Sequence, residues 1–158
     1  MKYLALLVFA SFALPLSLID IKQRRLPNGP VVSLFGLLFL VATALSAAES
    51  NWYSFWSALK VSLFTFLVYL LLYLLSNNAL GAGDVKFSAS TGLVVGLYCP
   101  DKWLLAVWVS FILASVYVCI VLFLKREAVR QSLRTTSIPF GPFMTGGTFI
   151  VVALTLFA

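Results

Sequence analysis

Trp103 to Leu124 reads WLLAVWVSFILASVYVCIVLFL, 22 residues without a charge. At 1.5 Å per residue such a helix is about 33 Å long, enough to cross the roughly 30 Å hydrocarbon core of a bilayer. Its ends are marked in the way a span's ends should be, by Asp101 and Lys102 before it and Lys125 and Arg126 after it. This stretch predicts a transmembrane helix, and the rest of the chain repeats its pattern.

Going outward toward the N-terminus, residues 84–98 predict a short span whose first turn carries Asp84, and residues 58–75 a span that Ser76-Asn77-Asn78 ends. Residues 31–48 follow the turn signal Pro27-Asn28-Gly29-Pro30, and residues 3–19 form a run of 17 uncharged residues that stops at Asp20. The run at 3–19 is read as a span rather than a signal peptide, because the small-x-small pattern Ser11-Phe12-Ala13 falls inside it and not after it. Toward the C-terminus, residues 140–157 make the sixth span, opened by Ile138-Pro139-Phe140-Gly141-Pro142-Phe143. Trp52, Tyr53 and Trp56 stand where an interfacial aromatic belt belongs. The expected fold is all-α: one integral membrane domain over residues 1–158, a bundle of six transmembrane helices.

Composition agrees. Hydrophobic residues make up 62% of the chain and charged ones 10%, and the mean hydropathy is +1.05, outside the range of ordinary water-soluble domains. The runs lack the ten-residue alternation of an outer-membrane barrel. A net charge of +6 does not argue for nucleic acid, because the basic residues stand at the ends of apolar runs, where they orient a membrane protein. Eight of the 11 fall in the loops between spans one and two, three and four, and five and six. The positive-inside rule puts those loops in the cytoplasm and both termini outside. With no histidine and only Cys99 and Cys119, unpaired in any CxxC, neither a metal site nor a disulfide framework is expected, and no cofactor is implied.

Of the five acidic residues, Asp20 and Asp84 stand out. Both lie at the cytoplasmic edge of a span, where an ionisable group is a functional candidate. Each heads a stripe of small residues: Asp84, Ser88, Gly92 and Gly96 at steps of four, and Ala10, Ala13, Ser17 and Asp20 at steps of three, four and three. Such faces allow close helix approach, so the two stripes are expected to meet and bring the carboxylates together. Two aspartates in one site do not readily both ionise; one keeps a proton as general acid and the other accepts one from water as general base. Helix dipoles point to Asp20, at a helix C-terminus, as the acid that carries the shared proton. Gly81 and Gly83 are expected to let a substrate backbone approach.

With these motifs on the page, the chain resembles the prepilin peptidases, the GxGD group of aspartyl membrane proteases. Gly81-Ala82-Gly83-Asp84-Val85-Lys86 matches their GxGDxK motif, Asp20 followed by Leu26-Pro27-Asn28 their first acid and I/L-P-N, and Ile138-Pro139-Phe140-Gly141-Pro142-Phe143 a third motif. The resemblance implies Asp20 and Asp84 as the catalytic pair, with Gly81, Gly83, Lys86, Pro27, Asn28, Pro139 and Pro142 supporting the site or contacting substrate. It implies removal of the leader from a type IV pilin precursor on the cytoplasmic side of the inner membrane. The cysteine-bearing cytoplasmic domain of larger members is not found, so the small tight-adherence (Flp pilus) type is the nearer likeness. A proton-coupled transporter and a non-catalytic pilus assembly factor are the competing functions; internal repeats, which would favour transport, are not apparent.

Overall fold

The computed structural model describes residues 3–23, 26–76, 80–124 and 139–157. Among them the chain forms six helices: α1 (Leu4–Gln23), α2 (Asn28–Ala48), α3 (Trp52–Leu75), α4 (Ala82–Tyr98), α5 (Trp103–Leu124) and α6 (Gly141–Phe157), with one 3-10 turn, Pro100–Lys102, before α5. Leu4–Gln23, Asn28–Ala48, Trp52–Leu75 and Pro100–Val121 are each long and apolar enough to cross a membrane. Their outer faces carry exposed leucine, phenylalanine and tryptophan, as lipid-facing surfaces do. Arg24, Arg25 and the basic segment 125–134, on which the orientation reading leans, lie outside the described residues.

The boundaries follow local chemistry. Helix α3 starts at Trp52, before the expected residue 58, because the Asn51 side chain accepts the Ser54 N–H and caps it there. Pro30 sits inside the first turn of α2, where a missing N–H costs nothing. Helix α1 runs on to Gln23, so Asp20 lies one turn inside the helix and not at its end.

Helix α4 has only 17 residues, about 25 Å of helix, and is the most polar of the six in composition, yet it occupies the interior. Eleven of its residues are buried, among them Ser88, Ser90, Thr91, Gly92 and Gly96. Lipid solvates leucine well and hydroxyls and carboxylates poorly, so a helix that carries Asp84, Lys86 and six Ser, Thr and Gly residues is one that the others enclose.

The small-residue stripe of α4 does not meet α1, as the sequence led one to expect. It packs on α3, the most extensive helix pair in the bundle, while α1 and α4 touch sparsely. A Cβ on Gly96 would fall 2.6 Å from the Ala58 Cα, and one on Gly92 would fall 2.7 Å from Thr65 Oγ1. Ser62 Oγ also donates to the Ala89 carbonyl at 2.7 Å. Helix α3 offers a small-residue ladder of its own, Ala58, Ser62 and Thr65, and this is the face that Gly92 and Gly96 select. The buried face of α1, with Ala13, Ser17 and Asp20, turns instead toward α6, where Ser17 and Thr145 share a hydrogen bond of 3.0 Å.

Candidate active site

Helices α1 and α4 bring Asp20 and Asp84 to the same end of the bundle, both buried, at 4% and 7% exposure. They are close enough for the charge of one to act on the other. Helices α2 and α6 each pack against both α1 and α4, and so hold the two acid-bearing helices side by side.

Each carboxylate is held by a backbone N–H at a helix N-terminus. Asp84 is the third residue of α4, and its Oδ2 accepts the Gly81 N–H at 3.2 Å, reaching back as the acidic half of a capping box does. Asp20 Oδ2 accepts the Gly141 N–H, the first of α6, at 2.9 Å. The donor is one that α6 cannot use itself, since the first amides of a helix have no partner within it. Pro142, next in the chain, has no N–H at all. The dipole argument that singled out Asp20 thereby loses its ground. Both acids stand at a positive helix end, Asp84 at that of its own helix and Asp20 at that of α6.

The glycines beside Asp84 have tasks within the protein. A Cβ on Gly83 would lie 2.8 Å from Leu26 Cβ and 3.2 Å from its carbonyl, so Gly83 lets the start of α4 press on the turn before α2. A Cβ on Gly81 would lie 2.9 Å from Asp84 Oδ2. The space that the sequence reading reserved for a substrate backbone is thus taken, by the Leu26 segment and by the carboxylate.

Lys86 turns away from the acids. Its Nζ donates to Asn28 Oδ1 at 2.9 Å, joining the two sequence motifs at the surface while Pro27 sets the extended backbone just before α2. Because both partners are exposed, Lys86→Met is expected to cost about 0–1 kcal/mol of stability, checked by thermal unfolding in detergent; a loss of several degrees would contradict a peripheral role. Pro139 is half-buried beside the start of α6. Ser88, with no solvent exposure, donates to the Val85 carbonyl at 2.7 Å and stays within its own helix.

Three residues of this region were missed by sequence reasoning. Gly141 supplies the N–H to Asp20; the signal was its place between Pro139 and Pro142, which leaves few donors at that corner. Thr145, one turn further on, bonds both Ser17 and the Gly141 carbonyl. Tyr69, 1% exposed, stands within electrostatic reach of Asp84 and shares a hydrogen bond with Ser110. Its ring packs on Phe111 and Phe140 at 5.7 and 6.0 Å. The α3 ladder Ala58, Ser62, Thr65 continues by one more helical step to Tyr69, so the register that seats Gly96 and Gly92 brings Tyr69 toward the level of Ser88, one turn from Asp84.

Among the described residues no three His, Cys, Asp or Glu side chains gather as metal ligands. What the arrangement offers is two buried carboxyl groups at one end of the bundle, each with one oxygen tied to a backbone amide.

The chain is 28% identical over 144 residues to the prepilin leader peptidase/N-methyltransferase of Bacillus subtilis (strain 168), a match covering 90% of this chain and 52% of that protein. The chain thus spans about half the length of the curated relative it matches. No solved structure matches it significantly. The profile of the type IV leader peptidase family matches residues 7–124, which include both aspartates and the Leu26-Pro27-Asn28 turn and stop short of α6. By that match over most of its length, the chain belongs to the type IV leader peptidase family.

Proposed function

We propose that the chain is an aspartyl endopeptidase that removes the leader from a type IV pilin-like precursor, with Asp20 and Asp84 activating water. The observation that supports this reading is two buried carboxyl groups, from residues 64 positions apart in sequence, within electrostatic reach of one another and each anchored by a helix N-terminus. With one proton between them, the ionised acid takes a proton from water, and the water oxygen bonds to the scissile carbonyl carbon. The protonated acid gives its proton to the carbonyl oxygen. As the carbon–nitrogen bond breaks, the leaving nitrogen takes the proton that came from water, and a hydroxyl of the tetrahedral intermediate gives its proton to the other acid, which returns the pair to its starting state.

The amide anchors keep one oxygen of each acid in place and leave the other for water or substrate. Lys86 bonded to Asn28 holds the start of α4 near that of α2. The excess of basic residues in the sequence between spans one and two, three and four, and five and six supports a cytoplasmic site, inner-membrane location and outside termini. The partners under this reading are the precursor and the lipid bilayer.

Co-expression with a pilin-type precursor tests it. The precursor is expected to shorten by its leader, and to do so in the presence of chelator. A precursor that keeps its leader at every expression level would remove the peptidase reading and favour an assembly role.

A further inference from the structure

We propose that Ser17 and Thr145 are positioning residues for Asp20, a hydrogen-bonded relay that holds the start of α6 against its carboxylate. The inference rests on the peptidase reading for its kinetic consequence, and on the geometry alone for its structural one.

The direction of the relay follows from counting protons. Thr145 Oγ1 lies 3.0 Å from the Gly141 carbonyl and 3.0 Å from Ser17 Oγ. A hydroxyl has one proton to donate. The carbonyl can only accept, so the Thr145 proton goes to Gly141 and Ser17 donates to Thr145. The ring of contacts then closes: Ser17 to Thr145, Thr145 to the Gly141 carbonyl, the Gly141 N–H to Asp20, and Asp20 back to Ser17 along one face of α1.

The spacing suits a two-point clamp. Ser17 and Asp20 are three apart on α1, and Gly141 and Thr145 four apart on α6, so both bridges lie on facing sides of the same two helices, one turn from each other. Gly141 has no side chain by which packing could hold it. Its neighbours Phe140, packed on Tyr69 and Phe111, and Pro142 fix the corner, and the Thr145 hydroxyl is the side chain that bonds the Gly141 carbonyl itself. Space around it is tight as well, since a Cβ there would stand 3.0 Å from Asp20 Oδ2. Ser17, Thr145 and Asp20 are all under 10% exposed, at 8%, 3% and 4%, so water does not readily substitute for a lost partner. Simple helix glue would need one such bridge anywhere along the interface. Here the bridge adjoins the one residue whose N–H the acid uses.

The test uses the full chain in lipid nanodiscs, with two readouts. The first is the infrared carboxyl band of Asp20, assigned by its loss in Asp20→Asn and read without any precursor. The second is precursor cleavage, resolved into kcat and KM. Thr145→Val is expected to shift the Asp20 band and to lower kcat about 10- to 100-fold with KM within about twofold, the scale on which small misplacements of a reacting group act. Thr145→Ser, which keeps the hydroxyl, is expected to restore both. Ser17→Ala should move both readouts in the direction of Thr145→Val, and the double variant should be no worse than Thr145→Val alone. An unmoved Asp20 band in either Thr145→Val or Ser17→Ala, or a Thr145→Ser variant as impaired as Thr145→Val, overturns the relay. Should Thr145→Val not fold, the Ser17→Ala band decides. A wild-type protein that cleaves no precursor sinks the peptidase reading instead, and the band shift still reports on the relay.

Discussion

Asp20→Asn and Asp84→Asn should each lower precursor cleavage by about 10³-fold, within the 10²–10⁴-fold range of a positioned acid or base. The substitution is chosen for what it leaves intact. Asparagine has nearly the shape of aspartate, and its amide oxygen still accepts the Gly141 N–H in one case and the Gly81 N–H in the other. What it cannot do is give up or take a proton at working pH. Both variants should therefore insert and unfold as the wild type does while cleavage is lost. Because the acids act as one unit, the double variant should be hardly worse than either single one. Precursor size on a gel and thermal unfolding in detergent measure the two halves of this expectation. Full cleavage by either single variant would refute the pair.

The second large effect is on folding. Gly96→Ala should destabilise the bundle by about 1–3 kcal/mol, the usual cost of overpacking, and Gly96→Leu should keep the protein from accumulating. The added Cβ would meet Ala58 Cα at 2.6 Å and Val61 Cβ at 2.9 Å. The first of these is backbone, so relief requires α3 and α4 to separate, and α4 carries Asp84. Gly36 is the internal control. It sits exposed in the middle of α2 with nothing within 4 Å of where a Cβ would be. There Gly36→Ala should be neutral or stabilise by up to about 1 kcal/mol, through helix propensity alone. Thermal unfolding of the two variants side by side decides the matter. Equal stability of Gly96→Ala and Gly36→Ala would mean that α4 does not pack on α3 through this glycine.

Both expectations depend on how α4 sits, and here the residues show what a sequence can and cannot say. The stripe of Asp84, Ser88, Gly92 and Gly96 correctly marks a face of close approach. Which helix approaches is another question. Ala13 and Ser17 of α1 and Ala58, Ser62 and Thr65 of α3 are equally small, and a small face fits any other small face. Position along the chain offers no help, since the acids suggest the first partner and the packing takes the second. The choice of α3 then brings Tyr69 within electrostatic reach of Asp84, a consequence that neither motif contains.

Asp20 teaches the same point from the other side. Its burial and its likeness to a family acid are legible in the sequence, but its electrostatic setting is not. Reading α1 alone puts it near a negative helix end. In the folded chain the amide nearest to it belongs to α6, 121 positions away, and the sign of the local dipole is reversed.

The sequence by itself determined the class of the protein, the six helices with ends within six residues of those observed, and the two acids on which the proposed site rests. Each of these depends on interactions local to the chain: the length of an apolar run, a turn of proline and glycine, a carboxylate at the edge of a span. The tertiary structure alone decided which faces meet, that α2 and α6 pack against both acid-bearing helices, and that Gly141 and Thr145 lie on the Asp20 side of α6. In a bilayer, leucine serves equally well against lipid and against another helix, so apolar patterning leaves the partner of each face unstated. Only the packing of small residues and the satisfaction of buried hydrogen bonds select it, and both are properties of the assembled bundle.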